Sequence, residues 1–214
     1  MTAYLLTILI CLMLVAYVAT LYTEGMWSNA LRLINVVTAA LLATNFFEPV
    51  AQWLDDWDHA RSYVWDFLAL WGLFAGLMMI FRLVTDQISR VKVRFLEVVD
   101  KVGGTFFALW VGWVMICFTM MTLHTAPLAR NFLFGGFQAE QHMFLGLEPD
   151  RKWLAFMQKM SLGPFCRWAS DDEWQQQKYM FDRNFDFMAR YTARRTKLQA
   201  NVAQNNSICE PTSP

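Results

Sequence analysis

Charge is what this sequence has least of. Lys, Arg, Asp and Glu together make up 17% of its 214 residues, against about 25% in soluble domains. Basic residues are nearly missing from one end, for Arg32 is the sole Lys or Arg among the first 60 positions. Four cysteines and six prolines exclude a disulfide-dense scaffold and a proline-rich or collagen-like chain. The 18 basic and 18 acidic residues cancel, which removes the electrostatic footprint of a nucleic-acid binder. Catalytic patterns are lacking too. Gly103, Gly104 and Thr105 are not followed by the Lys of a phosphate loop. His124 and His142 stand without a carboxylate or Cys at metal spacing. Asp55, Asp56, Asp58 and His59 lack a regular ligand frame and read as a solvated loop.

In abundance, by contrast, are apolar side chains, at 56% of the chain with 18 Phe, 13 Met and 10 Trp. A soluble globule of this composition would expose large apolar patches, so a lipid-facing surface is the simpler account. A helix needs about 20 mostly apolar residues to cross the hydrocarbon core. Four stretches qualify: Thr2 to Tyr22, Asn29 to Phe47, Ser62 to Val84 and Gly103 to Leu123. The first lacks the positive flank of a signal peptide and its apolar run is too long for one. The second could instead be re-entrant or interfacial, as an apolar core of about 10–14 residues can be.

Orientation follows from Lys and Arg in short connections. Arg82, Arg90, Lys92, Arg94 and Lys101 crowd the connection between the third and fourth spans, which is therefore expected in the cytoplasm. Both termini are then extracytoplasmic. Ile88, Val91, Phe95, Val98 and Val99 recur at helical spacing there, with Arg90, Arg94 and Lys101 on another face. That pattern predicts a basic amphipathic elbow helix lying among acidic headgroups.

Small residues allow helices in lipid to approach closely. Gly72 and Gly76 in the third span, and Gly104, Ala108 and Gly112 in the fourth, form two such seams and are expected to pack on neighbouring helices. Ionisable groups within spans default to functional candidates. Arg32, Asp66 and Glu48 all lie near helix ends, where snorkelling or a local ion pair accounts for them. A polar path past Arg32 and Asp66, making the protein a small channel or transporter, is the alternative.

These elements together resemble the CvpA (colicin V production protein) family. The resemblance rests on an uncharged first helix, the Glu24 and Gly25 turn, and a second helix closing with Asn45, Phe46, Phe47, Glu48 and Pro49. It rests further on the basic elbow and on Asp100, Lys101, Val102, Gly103 and Gly104 opening the fourth span, with Ala108 and Gly112 continuing it. It covers residues 1 to 125, and the segment past Arg130 looks like a lineage-type extension. The family implies a multi-pass inner-membrane protein associated with toxin production or export and with envelope homeostasis, and carries no catalytic residues over.

That extension is polar. Pro149 and Asp150 open a helix that Gly163 and Pro164 stop. Ser170 and Glu173 form a capping box for a second helix, from about Trp174 toward Leu198, with a break near Asp182 and an apolar stripe of Phe181, Phe185 and Met188. Arg190, Arg194, Arg195 and Lys197 are expected near its end, complementing the helix dipole or binding headgroups. Cys11 and Cys117 are expected to be buried in spans. Cys166 and Cys209 could pair in an oxidising compartment.

The expectation is an all-α polytopic membrane protein. It comprises a four-helix membrane domain over residues 1–126, an extracytoplasmic helical segment over 127–203 and a polar, frayed tail over 204–214. No enzymatic activity and no cofactor are expected. The partners would be the lipid bilayer and either membrane or envelope proteins or further copies of the chain.

Overall fold

The structure is a computed structural model that describes residues 2–57, 62–88, 96–128, 146–163, 165–166 and 180–208. Among the described residues there are six helices and no strand: α1 (Thr2–Leu21), α2 (Met26–Trp57), α3 (Ser62–Ile88), α4 (Glu97–Thr125), α5 (Pro149–Ser161) and α6 (Phe187–Ile208). By length and composition α2, α3 and α4 can each cross a membrane, while α1 is apolar and shorter.

The first four helices run between the same two ends. Leu6 and Ile10 of α1 pack with Ile116 and Met120 of α4, and Leu14 lies against Gly112, so α1 is antiparallel to α4 along its length. Next to α4 lies α2, which also carries α3. The core sits where α2, α3 and α4 meet. Ala39, Ala40 and Ala43 are buried there with Leu70, Phe74 and Phe118, the alanines letting the backbones approach. The rings of Phe74 and Phe118 lie 4.7 Å apart. On the outside, Ile8, Leu12 and Val15 of α1, Met79 and Leu83 of α3, and Val102 and Phe106 of α4 are exposed. That belt is what a lipid environment would cover.

Several boundaries differ from the sequence reading. The second apolar stretch does not end before Pro49, since α2 continues through it to Trp57. A proline has no N–H to give the carbonyl one turn earlier, but α5 and α6 pack against this part of α2 and hold it. Ile88 ends α3, and Val98, Val99 and Lys101 fall in the first turns of α4. The elbow therefore loses both flanks to its neighbours, and its centre, with Arg90, Lys92 and Arg94, lies outside the described residues.

Helix α5 appears where Pro149 placed it. Helix α6 begins only at Phe187, after a turn in which Asp182 and Phe185 have φ of 48° and 55°. The Asp182 carboxylate accepts hydrogen bonds from the N–H groups of Asp186 and Phe187, closing the helix start as a cap does. Phe185 is thus not in the helix and is exposed, whereas Phe181 is fully buried. Helix α6 also runs on to Ile208, into the stretch read as frayed. The capping pair Ser170 and Glu173, and residues 209–214, lie outside the described residues.

Candidate functional site

Two polar clusters occupy opposite ends of the bundle. At the first end, the α1–α2 turn meets the start of α4. Asp100 Oδ1 accepts a hydrogen bond from the Met26 N–H at 2.7 Å, so a carboxylate of α4 closes the positive end of α2. Asn29, fully buried, donates to the carbonyls of Leu21 and Gly104 at 2.9 and 3.0 Å. A Cβ on Gly25 would stand 2.8 Å from the Asp100 carboxylate, and one on Gly104 would stand 3.4 Å from the Met26 nitrogen. The Glu24, Gly25 turn and the Asp100 to Gly104 run are thus two halves of one contact. Further along, a Cβ on Gly112 would meet Leu14 at 2.9 Å, and Ala108 is fully buried.

The other small-residue seam is placed differently. A Cβ on Gly72 or Gly76 meets nothing within 4 Å, and both glycines are exposed on α3. Expected to pack on a neighbour, they face outward from the described chain. Their spacing does match the helical period, but Ala69, Leu70 and Phe74 carry the buried face of α3. Lys101 is exposed, while Arg90 and Arg94 lie outside the described residues.

Beside the first end, between the first turns of α2 and the last turns of α3, lies a cavity of about 340 Å³ lined by Glu24, Arg32, Asn35, Arg82, Thr85 and Asp86 among others. Arg32 is ion-paired with Glu24 at 2.9 Å. Asn35 and Thr85 exchange hydrogen bonds of 3.0 and 3.2 Å.

At the opposite end α5 and α6 dock on α2, α3 and α4. Arg190 of α6 reaches Glu48 of α2 at 3.3 Å and Asp186 of its own helix at 2.8 Å. One turn later Arg194 pairs with Asp66 of α3 and lies over the rings of Tyr63 and Tyr191. These arginines stand in the first turns of α6, so they join it to the bundle and do not complement the negative end of its dipole. A cavity of about 220 Å³ lies beside them, lined by Glu48, Asp55, Asp66, Arg190 and Arg194 among others. Burial works against the Arg190 charge, but Glu48, Asp186 and Asp182 outweigh it and hold its pKa above the ordinary value. Burial also raises the Tyr191 hydroxyl, helped by Asp66 and Glu48.

His124 does not stand alone. It is fully buried, with Nε2 2.9 Å from Asp150 Oδ2 and Nδ1 3.4 Å from an Arg195 nitrogen. A guanidinium only donates, so Nδ1 accepts and Nε2–H donates to Asp150. Burial pushes the Asp150 carboxyl up, yet the His124 hydrogen bond and backbone N–H donors outweigh it and hold the carboxyl below its ordinary range. Neighbouring contacts seat α5: Trp153 Nε1 donates to Thr44 Oγ1 at 3.2 Å, and Asn45 donates to the Phe165 carbonyl at 2.6 Å.

Arg32 and Asp66, the two groups of the polar-path alternative, thus line separate cavities. Residues 66 and 82 of α3 alone put the two levels about 24 Å apart at 1.5 Å per residue, with the alanine and phenylalanine core between them. Cys117 is buried, as a span cysteine was expected to be, but Cys11 is exposed on the outer side of α1. Cys166 is half-buried, and Cys209 lies outside the described residues, as do Asp58, His59 and His142. Among the described residues no three His, Cys, Asp or Glu side chains gather as a metal site.

A family model described as colicin V production protein matches residues 6–141. The chain belongs to that family. Its matched region contains all of α2, α3 and α4 and most of α1, so the Gly25 to Asp100 junction lies inside it. Helices α5 and α6 of this colicin V production family member lie beyond the match. No curated protein and no solved structure matches the chain.

Proposed function

We propose that this protein is a non-enzymatic component of the bacterial cytoplasmic membrane, in which α1 to α4 form four spans and both termini face outward. There it supports production or export of a colicin V-type toxin, and envelope homeostasis, by engaging a membrane or envelope protein at its outer end or by self-association. Family membership supplies the link to colicin V production. One observation carries the rest of the reading: three side-chain contacts, Arg190 with Glu48, Arg194 with Asp66 and His124 with Asp150, hold α5 and α6 to one end of the bundle. Basic Arg32, Arg82 and Lys101 sit toward the other end, which the charge rule assigns to the cytoplasm.

The reading is tested in a toxin-producing host by deleting the gene and restoring it with either the full chain or a chain ending after Ala126. Loss of secreted toxin and of detergent resistance, both restored only by the full chain, is expected. Unchanged secretion and resistance on deletion would refute it.

A further inference from the structure

We propose that the cavity between the start of α2 and the end of α3 is a site for one aminophospholipid headgroup, a phosphate carrying a primary ammonium. The inference rests on the reading that α2 and α3 lie in a bilayer. At about 340 Å³ the cavity is within the usual range of small-molecule sites, roughly 300–1,000 Å³. Along α2 its lining runs from Trp27 to Asn35, about 12 Å at 1.5 Å per residue, long enough for a headgroup and its glycerol.

The lining selects the headgroup by charge. Arg32 and Arg82 offer guanidinium donors that suit phosphate oxygens, and Glu24 and Asp86 offer carboxylates. A headgroup that is only anionic would meet both carboxylates, and a cation alone would meet both arginines. A headgroup with both signs satisfies all four. The pairs already present leave room for it. Glu24 Oε1 engages one nitrogen of Arg32, and a guanidinium has five N–H donors. Arg82 and Asp86 stand 3.9 Å apart and largely exposed, wider than a hydrogen bond. The mutual hydrogen bonds of Asn35 and Thr85 add polar groups to the lining that suit glycerol ester oxygens. Ile34 and Leu83, next to Asn35 and Arg82 in sequence, are exposed and give acyl chains an apolar path that a soluble phosphate ester would not use. A primary ammonium has N–H donors for the carboxylates, which choline lacks.

The test uses the full-length protein reconstituted in nanodiscs of mixed phosphatidylethanolamine, phosphatidylglycerol and phosphatidylcholine. Retained lipids are read by native mass spectrometry. One retained phosphatidylethanolamine is expected, preferred by about tenfold, roughly what one charge-assisted hydrogen bond is worth. Arg82→Gln and Asp86→Asn alter exposed side chains, so the fold is kept, and each should remove most of the preference. Asp86→Lys should turn it toward phosphatidylglycerol. Equal or better retention of phosphatidylglycerol by the unaltered protein would overturn the inference, as would unchanged selectivity in all three variants. Soluble O-phosphoethanolamine displacing the lipid at similar concentration would overturn the lipid source. A protein that enters nanodiscs without lipid preference refutes this site alone, whereas one that does not enter them refutes the membrane reading.

Discussion

Single residues decide which of two similar sequence patterns becomes a contact. Gly112 has Leu14 where its Cβ would go, and Gly72 has open space. Gly112→Leu should therefore overpack the α1–α4 contact and lower stability by about 1–3 kcal/mol, read as a lower melting temperature in detergent. Gly72→Ala should leave the melt unchanged or raise it, because glycine inside a helix costs about 0.5–1 kcal/mol relative to alanine. A second residue-scale expectation concerns acid. With its pKa lowered in the fold, Asp150 contributes stability that is complete above the unfolded value of about 3.9 and is lost as pH falls through the lower folded value. Asp150→Asn should then flatten the acid limb of a stability-against-pH curve, measured by thermal melts from pH 7 down to pH 3. A limb of unchanged slope would show that other carboxyl groups control it. None of this was legible for His124, since its partner lies 26 positions away in a polar segment and spacing along one helix cannot reveal it.

At the level of whole elements, composition was a good guide and pairing was not. Apolar runs located α1 to α4 because a long uninterrupted apolar stretch is visible in composition itself, and Pro149 located α5 because proline suits the first turn of a helix. The start of α6 lies later than the helical spacing of Phe181, Phe185 and Met188 predicts, because Asp182 and Phe185 adopt left-handed conformations that interrupt the helix. Asp66 and Arg194 are 128 positions apart, so both could be recognised as candidates without either indicating the other. Their pair is half-exposed at the arginine and nearly buried at the carboxylate. Removing Arg194 alone should free α6 more than removing both partners, because a lone buried carboxylate is the costly outcome. Hydrogen exchange of α6 amides in Arg194→Ala, Asp66→Ala and the double variant checks this. Equal exchange in all three would show that Arg190 and the buried rings hold the helix without the pair.

For the whole molecule, zero net charge hides where the Lys and Arg residues of the membrane helices lie. Arg32, Arg82 and Lys101 sit toward one end beside Glu24, Asp86 and Asp100, whereas Glu48, Asp55, Asp56 and Asp66 sit toward the other, where the helices themselves bring no Lys or Arg and the arginines come from α6. The proposed orientation, with the basic connection in the cytoplasm, predicts residue 126 outside. Alkaline phosphatase fused after Ala126 should be active and a fluorescent protein at the same point dark, with the pattern reversed for fusions after Lys92. The opposite result would invert the membrane orientation. What sequence could not supply at this scale was the separation of Arg32 from Asp66, because a path or its absence depends on how α2 and α3 run past one another.

The long reach of α2 also imposes an order in time. Thr44 and Asn45 are completed early in synthesis, but the groups they bond, Trp153 and the Phe165 carbonyl, are 109 and 120 residues further along. At about 5–20 residues per second, a ribosome needs roughly 5–25 s to supply them. For that interval Thr44 and Asn45 lack their contacts to Trp153 and the Phe165 carbonyl, and Glu48 waits longer still for Arg190. The Pro49 end of α2 therefore completes its native contacts only after α1 to α4 have all been synthesised.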